Sequence, residues 1–420
     1  MIKIDNNSGI GEKMNSRNNT NLKKTTTIAF LTIIVFVLSL LTFEPFLNNS
    51  TAEANTNNNF SNTINSSNTV TNSSTLEQNS TQVLAKKKKK KAKKAKKVKK
   101  TKVIKCTKKQ IARKLKKCQK VLPPNNSRTL NANTQGIPGR AVGTYNPMDI
   151  QSINAGYWNH YNAARNVPTG WNGNEETCNV GTITQQSRNA TLNALNYARN
   201  LAGLNNAYLD SRLNYNASQA ALMMGANKTV SHSPGSNWKC YTAAGYDGAS
   251  HGNLIHTYGT INSGNQLDLY LSEPGGNNEA VGHRRWILNP NMGPIGLGST
   301  THGNSMYVTG PQNYSNANPS FVSWPTAGYF PIKILQSVGR WSFSSGDDST
   351  VFNNANVSIV GPNGPVNLQV LPVHDGYAKP TLVWQMPGIL PAGDYNITVS
   401  GINGGSYSTV IYTVKLFNPF

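Results

Sequence analysis

The pattern of hydrophobic and polar residues predicts three helices in the middle of the chain. The first carries apolar residues at helical spacing and stops before Gly203: Leu192, Leu195, Ala198 and Leu201. The second opens at Asp210 as N-cap and repeats that spacing with Leu213, Ala217, Ala220 and Met224. A shorter third helix contains Leu267, Tyr270 and Leu271, and a strand is expected around Met306–Thr309.

The pattern changes after about Ser320 to short β-type runs broken by Pro, Gly and Asn. The predicted strands lie at 332–335, 357–360, 381–384, 395–399 and 410–416. A strong turn signal, Gly361-Pro362-Asn363-Gly364, separates two of them. This spacing predicts a β-sandwich, for which an Ig-like supporting role is the commoner interpretation and carbohydrate binding the alternative.

The residues before the helical region lack the apolar content of a folded domain. We expect five segments: a signal peptide or anchor at 1–54, a disordered Asn/Ser/Thr-rich spacer at 55–85, a Lys-rich segment at 86–122, a mixed domain at 145–315 and a β-sandwich at 320–420. The uncharged run from Ile28 to Phe43 follows Lys23 and Lys24, which is the layout of a secretory signal. Its length favours cleavage over anchoring, so an extracellular or cell-surface location is predicted.

Charge is distributed very unevenly over the 420 residues. The formal net charge is +23, but the stretch from Lys86 to Lys120 alone holds 20 Lys, Arg113 and no acidic residue. The remainder carries 19 basic against 17 acidic residues. A basic nucleic-acid-binding face on the folded part is therefore not expected. The Lys-rich tract is predicted either to hold the protein at anionic envelope polymers or lipid headgroups, or to be a solvated spacer.

Four cysteines occur in a chain that is expected to leave the reducing cytoplasm. Two disulfides are plausible there, and three connectivities are open. Adjacent pairing is preferred because each bridge then stays within one segment, joining Cys106 to Cys118 and Cys178 to Cys240.

Three polar elements between the second helix and the β-type runs carry candidate chemistry. They are Ser231-His232-Ser233-Pro234, Tyr270-Leu271-Ser272-Glu273 and Gly282-His283-Arg284-Arg285-Trp286. Two imidazoles and a carboxylate can bind a divalent metal, with Glu273 as a third ligand or as the group that orients a water. Arg284, Arg285 and Trp286 are interpreted as structural, covering the cleft wall and filling a core gap.

A family resemblance supports bringing these elements together. The helix Leu192–Arg199, the Ser-His-Ser-Pro element and the run from Gly282-His283-Arg284 to Ile295-Gly296-Leu297-Gly298 resemble the CAP superfamily over roughly residues 180–310. That is the family of cysteine-rich secretory proteins, antigen 5 and pathogenesis-related 1 proteins, here in its secreted bacterial variant. The resemblance implies an α+β chain, with an α-β-α sandwich followed by the all-β sandwich.

The resemblance also implies a cleft lined by two His and two Glu, whose His pair binds zinc in some members. His232, Glu273 and His283 match three of these positions, but Gly252 stands where the other Glu is expected, so the set is incomplete. His251 and His256 flank this gap as substitute ligands. Glu279 is a rival for the carboxylate role, although the family pattern favours Glu273.

Three functions follow as hypotheses. The first is a surface-held CAP protein whose cleft binds a divalent metal or small ligand. The second is an extracellular peptidase-like hydrolase with Ser231 or Ser233 as nucleophile, although neither serine has a strained elbow motif around it. The third is a non-catalytic adhesin. The sequence does not distinguish catalysis from binding.

Overall fold

The computed structural model describes residues 3–4 and 128–420, apart from 336–338 and 389. The spacer, the Lys-rich tract, the Cys106–Cys118 pair and all of the predicted signal segment except residues 3–4 lie outside the described residues. None of the helices among the described residues is long and apolar enough to cross a membrane.

Seven helices occur in the described part of the chain: α1 Ala132–Gln135, α2 Ile150–Gly156, α3 Gln185–Leu201, α4 Ser211–Asn227, α5 Ala243–Ser250, α6 Ser263–Ser272 and α7 Gly282–Ile287. A π-helical stretch, Tyr157–Asn162, continues α2, and 3-10 turns lie at Gly276–Asn278 and Ile332–Ile334. The strands of the first half are β1 Lys3–Ile4, β2 Thr129–Asn131, β3 Gly252–His256, β4 Gly296–Ser299 and β5 Gly303–Tyr307. Those of the second half are β6 Phe321–Trp324, β7 Gly328–Pro331, β8 Arg340–Ser345, β9 Asn356–Gly361, β10 Gly364–Pro365, β11 Gln369–Val370, β12 Thr381–Gln385, β13 Gly393–Ser400 and β14 Thr409–Phe417.

The first half is an α-β-α sandwich around an antiparallel sheet with strand order β1-β3-β5-β4. Leu254 and Tyr307 face α4 and α5, where they pack with residues such as Ala217 and Met223. The alternate strand positions pack into the main core on the other face, which holds α3, α6 and α7. This alternation follows from the two-residue period of a strand. The predicted sandwich is confirmed.

Helix α4 lies unusually close to this sheet because three glycines face it. A Cβ at Gly296, Gly298 or Gly303 would lie 2.0–2.3 Å from the α4 backbone at residues 213, 217–218 and 221. These contacts fall one helical turn apart, so the glycines present a flat surface to one face of α4. The N-cap predicted at Asp210 is present, since its carboxylate accepts from the Leu213 N–H.

The second half consists of two sheets that share one core. One has the order β10-β9-β13-β14-β2 with β7 also on β14, and the other has the order β11-β12-β8-β6. Aromatic side chains fill the space between them, including Trp341, Phe343, Tyr395 and Tyr412. The predicted β-rich region after the helical domain is confirmed, and its Ig-like character stays a prediction.

Two expectations about boundaries need correction. The strand predicted at 332–335 is a 3-10 turn over Ile332–Ile334, and the neighbouring strand is β7. Globular structure also begins before residue 145, because β2 pairs in parallel with β14 near the other end of the chain. A three-residue strand has too short a pattern to be recognised from sequence, and its partner is about 280 residues away.

Candidate ligand-binding cavity

A cavity of about 210 Å³ lies at the edge of the helical half, next to the start of β3 and α7. Its lining residues are His232, Ser250, His251, Gly252, Asn253, Gly282, His283, Trp286, Thr309, Gly376 and Tyr377. Two of the three predicted site residues, His232 and His283, therefore line the same cavity. Glu273 does not line the cavity, but its carboxylate contacts Nδ1 of His283.

The imidazole of His232 has a defined tautomer. This residue follows α4, and its Nδ1 lies 2.8 Å from the carbonyl oxygen of Ala249 in α5. Because a carbonyl oxygen only accepts, Nδ1 carries the proton and donates it. The lone pair is therefore on Nε2, which is the atom that a neutral imidazole offers to a metal or to a hydrogen-bond donor.

His283 is held in the same tautomer by a carboxylate. It is the second residue of α7, and its Nδ1 lies 2.8 Å from Oε2 of Glu273. Both side chains are buried, with 2% and 0% of their surface exposed. A carboxylate that accepts from the far nitrogen of a metal-binding His fixes the ring orientation and raises the basicity of the other nitrogen.

Glu273 is built as a support rather than as a ligand. It ends α6 in the left-handed conformation, with φ at +56°, which turns its side chain toward the start of α7. Its Oε1 accepts from the backbone N–H of Arg284 at 2.9 Å, so both oxygens are engaged by α7. The rival carboxylate, Glu279, is not the partner of His283.

The family resemblance places Gly252 where a second Glu is expected, and the packing leaves no room for a side chain at this residue. A Cβ at Gly252 would lie 2.5 Å from the Gly248 carbonyl oxygen and 2.7 Å from Oγ of Ser305. The close packing between α5 and the sheet therefore accounts for the absence of a second Glu at this position. A carboxylate could not be restored at this position without moving both.

The two histidines that flank Gly252 have different surroundings. His251 lines the cavity, stacks on Tyr307 with ring centres 5.2 Å apart, and contacts Asp247 through Nδ1. His256 is buried at the other end of β3, where its ring lies 6.5 Å from that of His302. Of the two substitute ligands considered, only His251 shares the cavity with His232 and His283.

The donor set fits a metal that takes imidazole nitrogen and keeps other positions for water or a small ligand. His232 and His283 are the residues that would hold it, through Nε2, since Nδ1 of each contacts an acceptor. Among residues 128–335, 339–388 and 390–420 there is no cluster of three or more His, Cys, Asp or Glu that could hold a metal on its own. Such an ion would therefore need at least one ligand from outside these residues, for example from solvent or from a bound molecule.

The serines do not form the arrangement that a serine hydrolase needs. Ser231 and Ser233 are absent from the cavity lining, and Oγ of Ser231 accepts from the backbone of Ser233. In the neighbouring trio, Ser250 and Asp247 both contact Nδ1 of His251. A catalytic histidine must instead receive the serine proton on one nitrogen while the other donates to the carboxylate.

The arginines of the Gly-His-Arg-Arg-Trp run connect the helical half to the β-rich half. Arg284 donates to the carbonyl of Arg340 and to Oγ of Ser342 in β8, at 2.9 and 3.1 Å. Arg285 donates to the carbonyls of His374 and Lys379. Burial lowers the pKa of each guanidinium to about 10, which still leaves both charged at neutral pH. A structural role was predicted, but not this bond to the second half.

Gly376 and Tyr377 also line the cavity, although neither was predicted to do so. They lie between β11 and β12, far along the chain from either imidazole, and nothing in their local pattern indicates a site. The disulfide between Cys178 and Cys240 is present and links the loop before α3 to the loop after His232.

Comparisons with known proteins agree with the geometry of the helical half. Residues 192–314 match the family model of the Cysteine-rich secretory protein family, CAP. No curated protein matches the chain. Two crystal structures of PcoC, a methionine-rich copper resistance protein from Escherichia coli, are similar to 23% of this chain at 16% and 18% identity, covering 93% and 95% of that protein. Their TM-score of 0.18 is too low for the likeness to carry any argument.

Proposed function

This chain contains a CAP domain, matched over residues 192–314, and we propose that it is an exported binding protein whose cavity takes a divalent metal, zinc in the first instance, or a small ligand. The observation that carries the proposal is that His232 and His283 have the same hydrogen-bonding arrangement in one cavity. Both line one cavity, and both have Nδ1 engaged by an acceptor. Each imidazole would therefore bind a metal through the same atom, Nε2.

Binding is favoured over hydrolysis because the cavity lacks a correctly connected nucleophile, base and carboxylate among its described residues. Glu273 is committed to orienting His283, so it is not poised as a general base. Gly252 supplies no side chain in the place of the second carboxylate. The adhesin hypothesis is compatible with this function, since a displayed binding domain needs no turnover.

Attachment to an anionic envelope is part of the same proposal. The stretch from Lys86 to Lys120 carries almost the whole net charge of the chain, and the described domains carry little of it. Such a tract binds anionic wall polymers or lipid headgroups through salt-sensitive attraction. The envelope would then hold the CAP domain at the cell surface through this arm.

Zinc titration by calorimetry on the full chain tests the binding proposal. The wild type is expected to bind saturably, and the His232→Ala, His283→Ala double variant is expected to lose that binding. The matched control is His160→Ala, because His160 is exposed and lies away from this cavity. Equal zinc binding by wild type and double variant would contradict the metal site.

A further inference from the structure

Residues 371–380, which we call the cover loop, connect β11 to β12 in the β-rich half. Gly376 and Tyr377 of this loop line the cavity together with His232 and His283. All the other described lining residues lie within the matched segment 192–314. The cavity is therefore completed by a part of the chain that does not belong to the matched domain.

The cover loop is fastened directly to the helix that carries His283. The guanidinium of Arg285 donates to the carbonyls of His374 and Lys379 at 2.8 and 2.7 Å, so it spans the loop on both sides of Tyr377. The same guanidinium lies 4.9 Å from the centre of the Tyr377 ring. Hydrogen bonds from a charged donor are stronger than neutral ones, and a cation over an aromatic face adds attraction.

The two ends of the loop are anchored, whereas its tip is not packed. Leu371 packs with Val281 and Val383, and the buried Nζ of Lys379 contacts Asp348 at 3.0 Å. Residues 372–376 are exposed, and a Cβ placed on Gly376 would meet no atom within 4 Å. Among the described contacts, those of Arg285 and Tyr377 oppose movement of the tip.

We propose that the cover loop, through the ring of Tyr377, controls which molecules reach the His232 and His283 imidazoles. It admits an ion with its water and hinders larger molecules, polypeptide chains most of all. The cavity of about 210 Å³ is below the roughly 300–1,000 Å³ of pockets that hold drug-sized ligands. This inference rests on the proposed function, because it names the ligand class of the same cavity.

The test measures how fast diethyl pyrocarbonate, an organic reagent that modifies histidine, reacts with each imidazole of the full chain. Rates at His232 and His283 are followed by peptide mass spectrometry. Tyr377→Ala is expected to raise them by roughly tenfold, which corresponds to about 1.4 kcal/mol of closing free energy. Tyr377→Phe keeps the ring and is expected to stay near the wild-type rate, and Tyr377→Trp to be no faster.

His160 serves as the internal reference, since it is exposed in a different cavity and its rate should be the same in every variant. Unchanged rates at both cavity histidines in Tyr377→Ala, with the reference rate also unchanged, would overturn the inference. Equal increases in the modification rates of Tyr377→Phe and Tyr377→Ala would overturn the role of the ring. The labelling requires no metal, so it succeeds or fails independently of the zinc titration.

Discussion

At the scale of single residues, the candidate site depends on which nitrogen of each imidazole carries its proton. The Ala249 carbonyl decides this for His232, and the Glu273 carboxylate decides it for His283. Neither partner is adjacent in sequence to its histidine. The residue types were therefore predictable from the sequence and its family resemblance, whereas their tautomers and the supporting role of Glu273 required the fold.

Replacing Glu273 with Gln tests that supporting role. An amide oxygen can accept from Nδ1 of His283 or from the Arg284 N–H, but its NH₂ group cannot accept the other bond. We expect zinc affinity to fall by about 10- to 100-fold, and the free energy of unfolding to fall by about 1–3 kcal/mol. Calorimetric titration and urea unfolding measure the two effects.

The matched control is Glu279→Gln, because Glu279 is a nearby carboxylate that does not hold His283. It is expected to leave zinc affinity unchanged. If both variants bound zinc like the wild type, Glu273 would have no influence on the site.

A second residue-scale prediction concerns the dependence of stability on pH. Burial acts to raise the pKa of Glu175, but hydrogen bonds from Thr300 and His302 outweigh it and lower this pKa below its ordinary value. The stabilisation is therefore present above the ordinary pKa of Glu and lost as pH falls through the lowered one. Glu175→Gln should be less stable than wild type by about 1 kcal/mol at pH 7, and the difference should shrink below about pH 4.

Urea unfolding across this pH range measures the difference. Glu176→Gln is the control, because Glu176 is mostly exposed and its pair with Lys239 is screened by solvent. A gap between wild type and Glu175→Gln that stayed constant down to pH 3 would contradict the assignment.

At the scale of elements, long helices were recognised and short helices were not. α3, α4 and α6 were predicted because each buries a face with several apolar residues at helical spacing. α5 and α7 were missed, although both border the cavity, because they are only 8 and 6 residues long. Segments of that length form through tertiary contacts, since isolated short helices are marginal in water.

The close approach of α4 to the sheet gives a prediction at this scale. In Gly298→Ala the added methyl would lie 2.3 Å from the backbone of α4, so the helix or the strand must move. We expect a loss of about 1–3 kcal/mol in the free energy of unfolding. Gly259→Ala is the control, because a Cβ there meets nothing within 4 Å. Thermal or urea unfolding compares the two variants. Equal stability would show that α4 and the sheet can move apart at little cost in free energy.

At the scale of the whole molecule, the two halves of the described chain are fastened at several places. Arg284 and Arg285 reach the β-rich half, and the last residue, Phe420, exchanges backbone hydrogen bonds with the side chain of Asn154. β2 lies against β14 although it precedes the helical half in sequence. The cavity therefore belongs to both halves, and the order of segments along the chain did not indicate this.

The separation of charge gives the prediction for the complete chain. Removing residues 86–120 is expected to release the protein from anionic cell envelopes at low salt. Wild-type retention should also fall with salt, because the screening length shrinks from about 30 Å at 0.01 M to about 3 Å at 1 M. Sedimentation with isolated envelopes measures retention. Deleting residues 55–85, in which Glu77 is the only charged residue, is the control. Equal retention of both deletions would refute electrostatic attachment.

The sequence by itself determined the helical and β-rich halves, the three main helices, the residue types of the site and the concentration of charge in one tract. These properties are local or additive, so periodicity and composition reveal them. The tertiary structure alone decided that Glu273 contacts His283, that Gly252 leaves no room for a carboxylate, and that Tyr377 lines the cavity. Each of these depends on distances between residues far apart in the chain, which are set by packing and not by any local pattern.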